Sequence, residues 1–291
     1  MTIGLDFYVG NQTDKPTHKD SAVNVIYFTN KCNLACTYCY EDLANRPSQI
    51  LGKKDIRSHV DAIIEREHPD NQTLIVLFGG EPTLEWDNLI YLMDYAYAKK
   101  KNIHFNLETN GIKFLSDKFL ETFKSNYYYK RGLLSIDISF DGVGNGERIF
   151  HNGSKSTPAM LKIFKRLAIH GIRYRMRYTI QKSNVRMCYE DITKLINSFK
   201  PDRLITSVAW DSLSEDDIKH LIGTKEKFRA DWRKGKVPVP ICELFCDMCS
   251  GCGERKELKT YFTDEGNVTT YGNYENSPKF HDFKDKVTIH E

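Results

Sequence analysis

Val23-Asn-Val-Ile-Tyr-Phe-Thr29 runs straight into Asn30-Lys-Cys32-Asn-Leu-Ala-Cys36-Thr-Tyr-Cys39. A β-rich stretch that ends in a short loop with three cysteines reads as a strand presenting ligands at its carboxyl end. The rhythm continues downstream. Further β-rich runs at Thr73–Phe78, Ile103–Thr109, Leu133–Phe140, Ile172–Ile180 and Arg203–Val208 alternate with stretches whose apolar residues recur at helical spacing. Ile56, Val60, Ile63 and Ile64 make one such face, and Trp86, Leu89, Ile90, Met93 and Tyr97 a second. Met160, Leu161, Phe164, Leu167 and Ala168 make a third, opened by the cap-and-proline pair Thr157-Pro158. Ile192, Leu195, Ile196 and Phe199 make a fourth. Strands alternating with helices predict an α/β fold with a parallel sheet and right-handed crossovers. Six such units fall short of the eight that close a TIM barrel. A partial (βα)6 TIM-like barrel fits, and pattern alone leaves a flat doubly wound sheet open.

The chain has 291 residues, 40% of them hydrophobic and 28% charged, with 42 basic against 39 acidic side chains. That composition supports a real core. The near-balance of charge gives no general reason to expect nucleic acid or an anionic membrane as partner. The longest apolar runs, Leu74–Phe78 and Leu89–Met93, are far shorter than the ~18 residues of a spanning helix. Met1-Thr-Ile-Gly-Leu-Asp6 lacks the basic and apolar parts of a secretory signal. The expectation is a soluble, cytoplasmic protein. Seven of the eight cysteines fall in two short runs, 32–39 and 242–252, with Cys188 alone between them. Such clustering points to metal ligation in a reducing compartment rather than to a disulfide framework.

Cys32, Cys36 and Cys39 form a C-x3-C-x2-C run, suited to three corners of a cubane iron–sulfur cluster whose fourth iron stays open. A closed zinc site would need a fourth ligand, and the next histidine downstream is His59. Tyr38 lies between the last two cysteines. Gly79-Gly80-Glu81-Pro82 ends the second strand, Glu108-Thr109-Asn110-Gly111 the third, and Ser139-Phe140-Asp141-Gly142 the fourth. In this order the motifs resemble those of the radical S-adenosylmethionine (SAM) superfamily, over residues 23–210. The resemblance implies a [4Fe-4S] cluster on Cys32, Cys36 and Cys39, with SAM bound beside it at the strand carboxyl ends. It implies that Tyr38 lies near the adenine, that Gly79, Gly80 and Glu81 meet the methionine amino group, that Glu81 takes that group, and that Ser139 touches the ribose. Asn110 joins this cofactor-binding set. Reductive cleavage of SAM to a 5′-deoxyadenosyl radical, with a flavodoxin- or ferredoxin-type reductant, follows from the same resemblance.

Two strands describe the interior. Leu134, Ile136, Ile138 and Phe140 alternate with Ser135, Asp137 and Ser139, while Ile172, Tyr174, Met176, Tyr178 and Ile180 alternate with Arg173, Arg175, Arg177 and Thr179. A parallel strand buried on both faces is nearly continuous in apolar residues, so the alternation predicts a polar cavity inside the sheet. Glu108 and Arg177 then face that cavity. Arg177 either pairs with the SAM carboxylate through its planar fork or forms an ion pair with an acid such as Asp137. Glu108 and Asp141 are the candidate catalytic residues.

Beyond residue 210 the rhythm stops. Ser214 and Asp217 form a capping-box pattern, a basic stretch runs from Lys225 to Lys236, and Val237-Pro-Val-Pro-Ile241 is extended. Cys242, Cys246, Cys249 and Cys252 follow, then a hairpin pattern from Thr260 to Tyr271 with its turn at Asp264-Glu-Gly-Asn267. The expected divisions are a lead (1–22), the barrel (23–210), a connecting helix and linker (211–241) and a cysteine-rich region (242–291). A tetrathiolate zinc site is one reading of the four cysteines. The compact run with its hairpin also resembles the SPASM/twitch extension of radical SAM maturases, which implies one auxiliary [4Fe-4S] cluster. Cys188 reads as a small buried hydrophobe, His104 as a core histidine or substrate contact, Tyr127-Tyr-Tyr129 as packing, and Gly142-Val-Gly-Asn-Gly146 as a flexible lid beside the ribose. The leading function is a radical SAM oxidoreductase or maturase acting on a peptide or protein side chain, of the sulfatase-maturase kind. The alternative is dehydrogenation or rearrangement of a small alcohol, sugar or nucleoside. A remote one is a non-catalytic cluster- or zinc-bearing RNA-binding protein using Lys225–Lys236 and Arg173–Arg177.

Overall fold

The computed structural model describes residues 23–39, 49–67, 69–144, 147–209, 212–239, 241–242, 259–262 and 268–271. Six strands lie side by side in chain order, all parallel: β1 (Val23–Tyr27), β2 (Thr73–Phe78), β3 (Ile103–Thr109), β4 (Leu134–Phe140), β5 (Arg175–Ile180) and β6 (Arg203–Val208). The order decides between the two architectures left open by pattern. A doubly wound sheet needs a point where strand order reverses. Here β1 to β6 follow one another without reversal, so right-handed crossovers place every connecting helix on the same face. That is the winding of a partial barrel.

The crossovers carry α1 (Lys53–Arg66), α2 (Trp86–Lys99), α3 (Asp117–Ser125), α4 (Tyr127–Lys130), α5 (Thr157–Ile169) and α6 (Cys188–Phe199). Leu134, Ile136, Ile138 and Phe140 of β4 are buried in one core with Leu89 and Met93 of α2, Phe123 of α3 and Phe164 of α5. Each fully buried side chain of this size contributes about 2 kcal/mol. The helix pair α3–α4 escaped the periodicity reading because it is short. Ser116 caps α3 by accepting from the Phe119 N–H at 3.4 Å, and Phe119, Leu120 and Phe123 are buried. Within the tyrosine run, Tyr128 is buried and Tyr127 is 48% exposed, which is packing at the core and its rim. Strand β5 starts at Arg175, later than the pattern placed it, and Arg173 instead meets Asp202 at 3.1 Å on the surface.

After β6 comes α7 (Glu215–Arg233), begun by the anticipated capping box. Ser214 Oγ accepts from the Asp217 N–H at 3.3 Å and the Asp217 carboxylate accepts from the Ser214 N–H at 3.1 Å. Two further strands extend the sheet at its ends. β7 (Ile241–Cys242) pairs in parallel with β6, and β8 (Lys259–Phe262) pairs in parallel with β1. β9 (Val268–Tyr271) returns antiparallel to β8, as the hairpin pattern indicated. β7 and β8 thus adjoin the two edges of the barrel sheet. Cys246, Cys249, Cys252 and the hairpin turn lie outside the described residues.

Replacing Ser214 by Ala removes one acceptor and should lower stability by about 1 kcal/mol. Urea unfolding would show this as an earlier midpoint with unchanged slope, and an unmoved midpoint would contradict the cap.

Candidate active site

The cysteine loop leaves the carboxyl end of β1 and is gripped by backbone on two sides. On one side the Gly80 N–H donates to Thr29 O at 2.6 Å and the Glu81 N–H to Lys31 O at 2.7 Å. On the other, the Ala35 N–H donates to Ile149 O at 2.8 Å and the Thr37 N–H to Glu147 O at 3.0 Å. Between them Leu34 is 1% exposed and the Cys39 N–H closes a turn on Cys36 O at 3.1 Å. The first grip explains the two glycines. A Cβ on Gly79, whose φ is +148°, would lie 2.5 Å from Thr29 O, and one on Gly80 would lie 2.5 Å from Lys31 O. Only residues without a side chain let these backbones approach so closely.

The loop closes over a cavity lined by Cys32, Cys36 and Cys39 together with Tyr38, Gly79, Gly80, Glu108, Asn110, Ser139 and Arg177. These predicted residues come from the ends of β1 to β5 and meet in one place. Thr109, Arg148, Thr179 and Ser207 line it as well. Thr179 belongs to the alternating polar face of β5 already read from the sequence. Ser207 needed the β5–β6 register, in which it stands opposite Thr179, and Arg148 left no sequence signal. Asn110 binds at the cysteines, donating to Asn33 Oδ1 at 2.7 Å and to Cys32 Sγ at 3.5 Å. Cys32 Sγ also accepts from the Leu34 N–H at 3.4 Å. Burial pushes the Cys32 thiol up to about 11, against these two donors.

Two residues anticipated from sequence lie beside the cavity rather than on its wall. Glu81 is fully buried and does not line the cavity. Its Oε1 accepts from Thr83 N at 3.1 Å and Thr109 Oγ1 at 2.7 Å, and its Oε2 from Asn110 N at 2.7 Å. The carboxylate therefore ties the end of β2 to the end of β3. Asp141 is 2% exposed and likewise outside the cavity wall. It accepts from the Tyr38 hydroxyl and from Arg148 at 3.2 Å, which makes it a buried anchor for both. Gly142 is also packed: its φ is +95°, and a Cβ there would strike the Asp191 carboxylate and approach Tyr178 Oη to 2.9 Å. This end of the expected lid is fixed, and Asn145 and Gly146 lie outside the described residues. Cys188 is buried at the start of α6, where burial pushes its thiol up to about 12.

The polar faces of β3 to β6 carry a ladder of ion pairs and hydrogen bonds. Arg177 meets Glu108 at 2.9 Å, Asp137 at 3.3 Å and Ser207 Oγ at 3.3 Å, so the ion-pair alternative for Arg177 is present while its side chain still lines the cavity. Below it, Arg175 pairs with Asp137 and donates to Asn106 Oδ1 at 2.6 Å. Ser135 joins Asn106 at 3.1 Å and His104 Nε2 at 3.1 Å. Burial works to raise the Asp137 pKa, but the Arg175 and Arg177 guanidiniums outweigh it and hold the carboxyl below its usual range. Burial, reinforced by the Arg175 charge, pushes the His104 imidazole down to about 4.

The donor set fits an iron–sulfur cluster and a small polar cosubstrate: three thiols of one loop face a wall of bare backbone, hydroxyls and an ion pair. Among the described residues no three His, Cys, Asp or Glu side chains converge on a single ion. The thiolates of a cubane need not converge, since each binds a different iron. The sequence pattern of the Radical SAM superfamily is matched by residues 26–196.

The chain belongs to the radical SAM superfamily. An uncharacterised protein of Methanocaldococcus jannaschii is 26% identical over 227 residues, covering 76% of this chain and 73% of that protein. The Fe-coproporphyrin III synthase of Methanosarcina barkeri is 29% identical over 58% of this chain and 39% of its own length. The serine-type anaerobic sulfatase-maturating enzyme of Bacteroides thetaiotaomicron is 23% identical over 53% of this chain and 38% of its own. This radical SAM chain therefore spans about two fifths of the length of those two enzymes. Among solved structures, anSMEcpe with bound AdoMet and the Cp18Cys peptide shares its fold, with a TM-score of 0.65 over 94% of this chain and 85% of that one at 17% identity. No helix among the described residues is long and apolar enough to cross a membrane.

Two outcomes follow from this geometry. Gly80→Ala forces a side chain against Lys31 O and should cost roughly 1–3 kcal/mol, read by urea unfolding of the metal-free protein; parental stability would show that the loops do not meet so closely. For His104, an unfolded imidazole protonates near 6.5 and the folded one near 4, so the unfolded state holds more protons in between. Stability should be full above pH 6.5 and fall toward pH 4, by roughly 3 kcal/mol in all. Unfolding measured from pH 7 to 5 should lose this slope in His104→Asn, and an identical slope would contradict the assignment.

Proposed function

We propose that this radical SAM protein holds a [4Fe-4S] cluster on Cys32, Cys36 and Cys39, binds SAM against it, and oxidises or crosslinks a side chain of a peptide or protein. The observation that supports this reading is the single cavity in which the three thiols meet Gly79, Gly80, Tyr38, Ser139 and Arg177. When bound, the cluster and SAM supply reductive cleavage to a 5′-deoxyadenosyl radical that can take a hydrogen atom from carbon. The chain's own residues do the rest. Gly79 and Gly80 leave backbone open toward the cosubstrate, Ser139 and Tyr38 flank it, and the Arg177 fork meets a carboxylate. Arg177 is itself held in place by Glu108 and Asp137. Leu34 and Phe78 close the cavity against water on the cysteine side. A peptide or protein substrate is favoured by the likeness to sulfatase-maturating enzymes.

We further assign Cys242, Cys246, Cys249 and Cys252 to one auxiliary [4Fe-4S] cluster. Ligation by all four leaves no open iron, which suits uptake of the second electron of a two-electron oxidation. A flavodoxin- or ferredoxin-type protein would be the reductant.

Anaerobically reconstituted protein should hold about eight irons and release 5′-deoxyadenosine from SAM. The variant with Cys32, Cys36 and Cys39 all changed to Ala should keep about half the iron and release none. Peptides deuterated at the β-carbon of Ser or Cys should pass deuterium into the 5′-deoxyadenosine. Release of 5′-deoxyadenosine by the triple variant would overturn the cluster assignment. Unlabelled product from every peptide tested would turn the substrate reading toward a small molecule.

A further inference from the structure

Arg148 lines the cavity together with Cys32, Cys36 and Cys39, while the carboxylate it pairs with, Asp141, lies behind the wall. The guanidinium donates to Tyr38 Oη at 2.7 Å and stands 5.8 Å over the Tyr38 ring. The Tyr38 hydroxyl in turn donates to Asp141. Tyr38 belongs to the turn closed between Cys36 and Cys39, so these three side chains hold that turn from outside. The backbone to either side of Arg148 does the same through Glu147 O and Ile149 O, and Ser156 fixes Arg148 O by donating its N–H at 3.0 Å and its Oγ–H at 2.8 Å. The ion pair is thus oriented, with its positive end toward the cysteines.

We propose that Arg148 is a positioning residue that fixes the Cys36–Cys39 turn through Tyr38, and that its charge raises the reduction potential of the cluster held by that loop. The proposal rests on the cluster assignment made above. Reduction adds an electron, and a fixed cation in a water-poor wall stabilises the state that carries it. Asp141 behind the guanidinium weakens that effect without cancelling it, because it is farther from the cavity. Removing each charge alone should therefore move the potential in opposite directions. Simple loosening of the loop would move both variants the same way.

The test is a redox titration of the reconstituted full chain followed by electron paramagnetic resonance. The relevant signal is the one that disappears when Cys32, Cys36 and Cys39 are all changed to Ala. Arg148→Gln should shift its midpoint to lower potential and Asp141→Asn to higher potential. Arg148→Lys, which keeps the charge but loses the fork, should return the midpoint toward that of the parent. Should Arg148→Gln fail to retain iron, the upward shift of Asp141→Asn and the parent-like midpoint of Arg148→Lys still carry the test. Midpoints that stay put, or Asp141→Asn moving downward, overturn the inference while leaving the cluster assignment intact. A parent without any signal sensitive to the triple cysteine change overturns both.

Discussion

The site depends on a backbone clamp. A loop of eleven residues, from Thr29 to Cys39, has little hydrophobic burial of its own beyond Leu34, yet it must hold three thiols in register. It does so because peptide groups of two distant segments, 79–81 and 147–149, supply hydrogen bonds on opposite sides. Thr29 is buried, and leaving its backbone carbonyl unpaired would cost about 1–3 kcal/mol, so the loop and the Gly-Gly segment settle together. The clamp also accounts for Glu81. Its carboxylate draws the ends of β2 and β3 to one point, which sets the height of Gly80 against Thr29. In that sense Glu81 serves the cysteines without touching them.

The interior of the barrel follows a second constraint. Asp137 and Arg175 are 1% and 4% exposed, so their charges are out of water and survive only because each is paired and hydrogen-bonded. Taking away one member of such a pair typically costs several kcal/mol, whereas the intact pair adds little to stability. The chain from Glu108 through Arg177, Asp137 and Arg175 to Asn106 is better understood as a device for orientation. It pins Arg177 from below and beside, leaving its upper surface to the cavity. On the strands β1 and β2 the same inner face is apolar, with Val25, Leu74 and Val76 in a small separate cluster. Polarity is therefore confined to the half of the barrel that lies across from the cysteine strand.

The strands, most helices and the three-cysteine loop were legible because each rests on local pattern: period two in β4, period three to four in α2, α5 and α6, a capping box before α7. The closure of the sheet in chain order was not legible, since it depends on pairing between strands far apart in sequence. The site residues divide in the same way. Ser139, Glu108 and Arg177 could be placed on the cavity face because strand alternation fixes direction. The direction of Glu81 and Asp141 was not legible, because a motif names a position at a strand end without saying which way the side chain turns. Each turns into the wall, Glu81 onto backbone amides and hydroxyls and Asp141 onto Tyr38 and Arg148. Arg148 was invisible for the converse reason: nothing local marks a residue whose partners, Tyr38 and Asp141, lie on other segments.

The charges around the cavity balance in pairs, Arg148 against Asp141 and Arg175 with Arg177 against Asp137 and Glu108. A frame that is neutral in sum can still impose a field if its pairs are oriented, because the nearer charge dominates at short range. Both groups are oriented alike at the mouth. Arg148 stands in front of Asp141, and the Arg177 guanidinium stands between Asp137 and the cavity with Glu108 at its flank. The walls thus present guanidinium to an anionic guest from two directions, while the acids that neutralise them sit behind or beside. Such an arrangement presents a positive field to the cavity without the self-repulsion that two unpaired buried cations would carry.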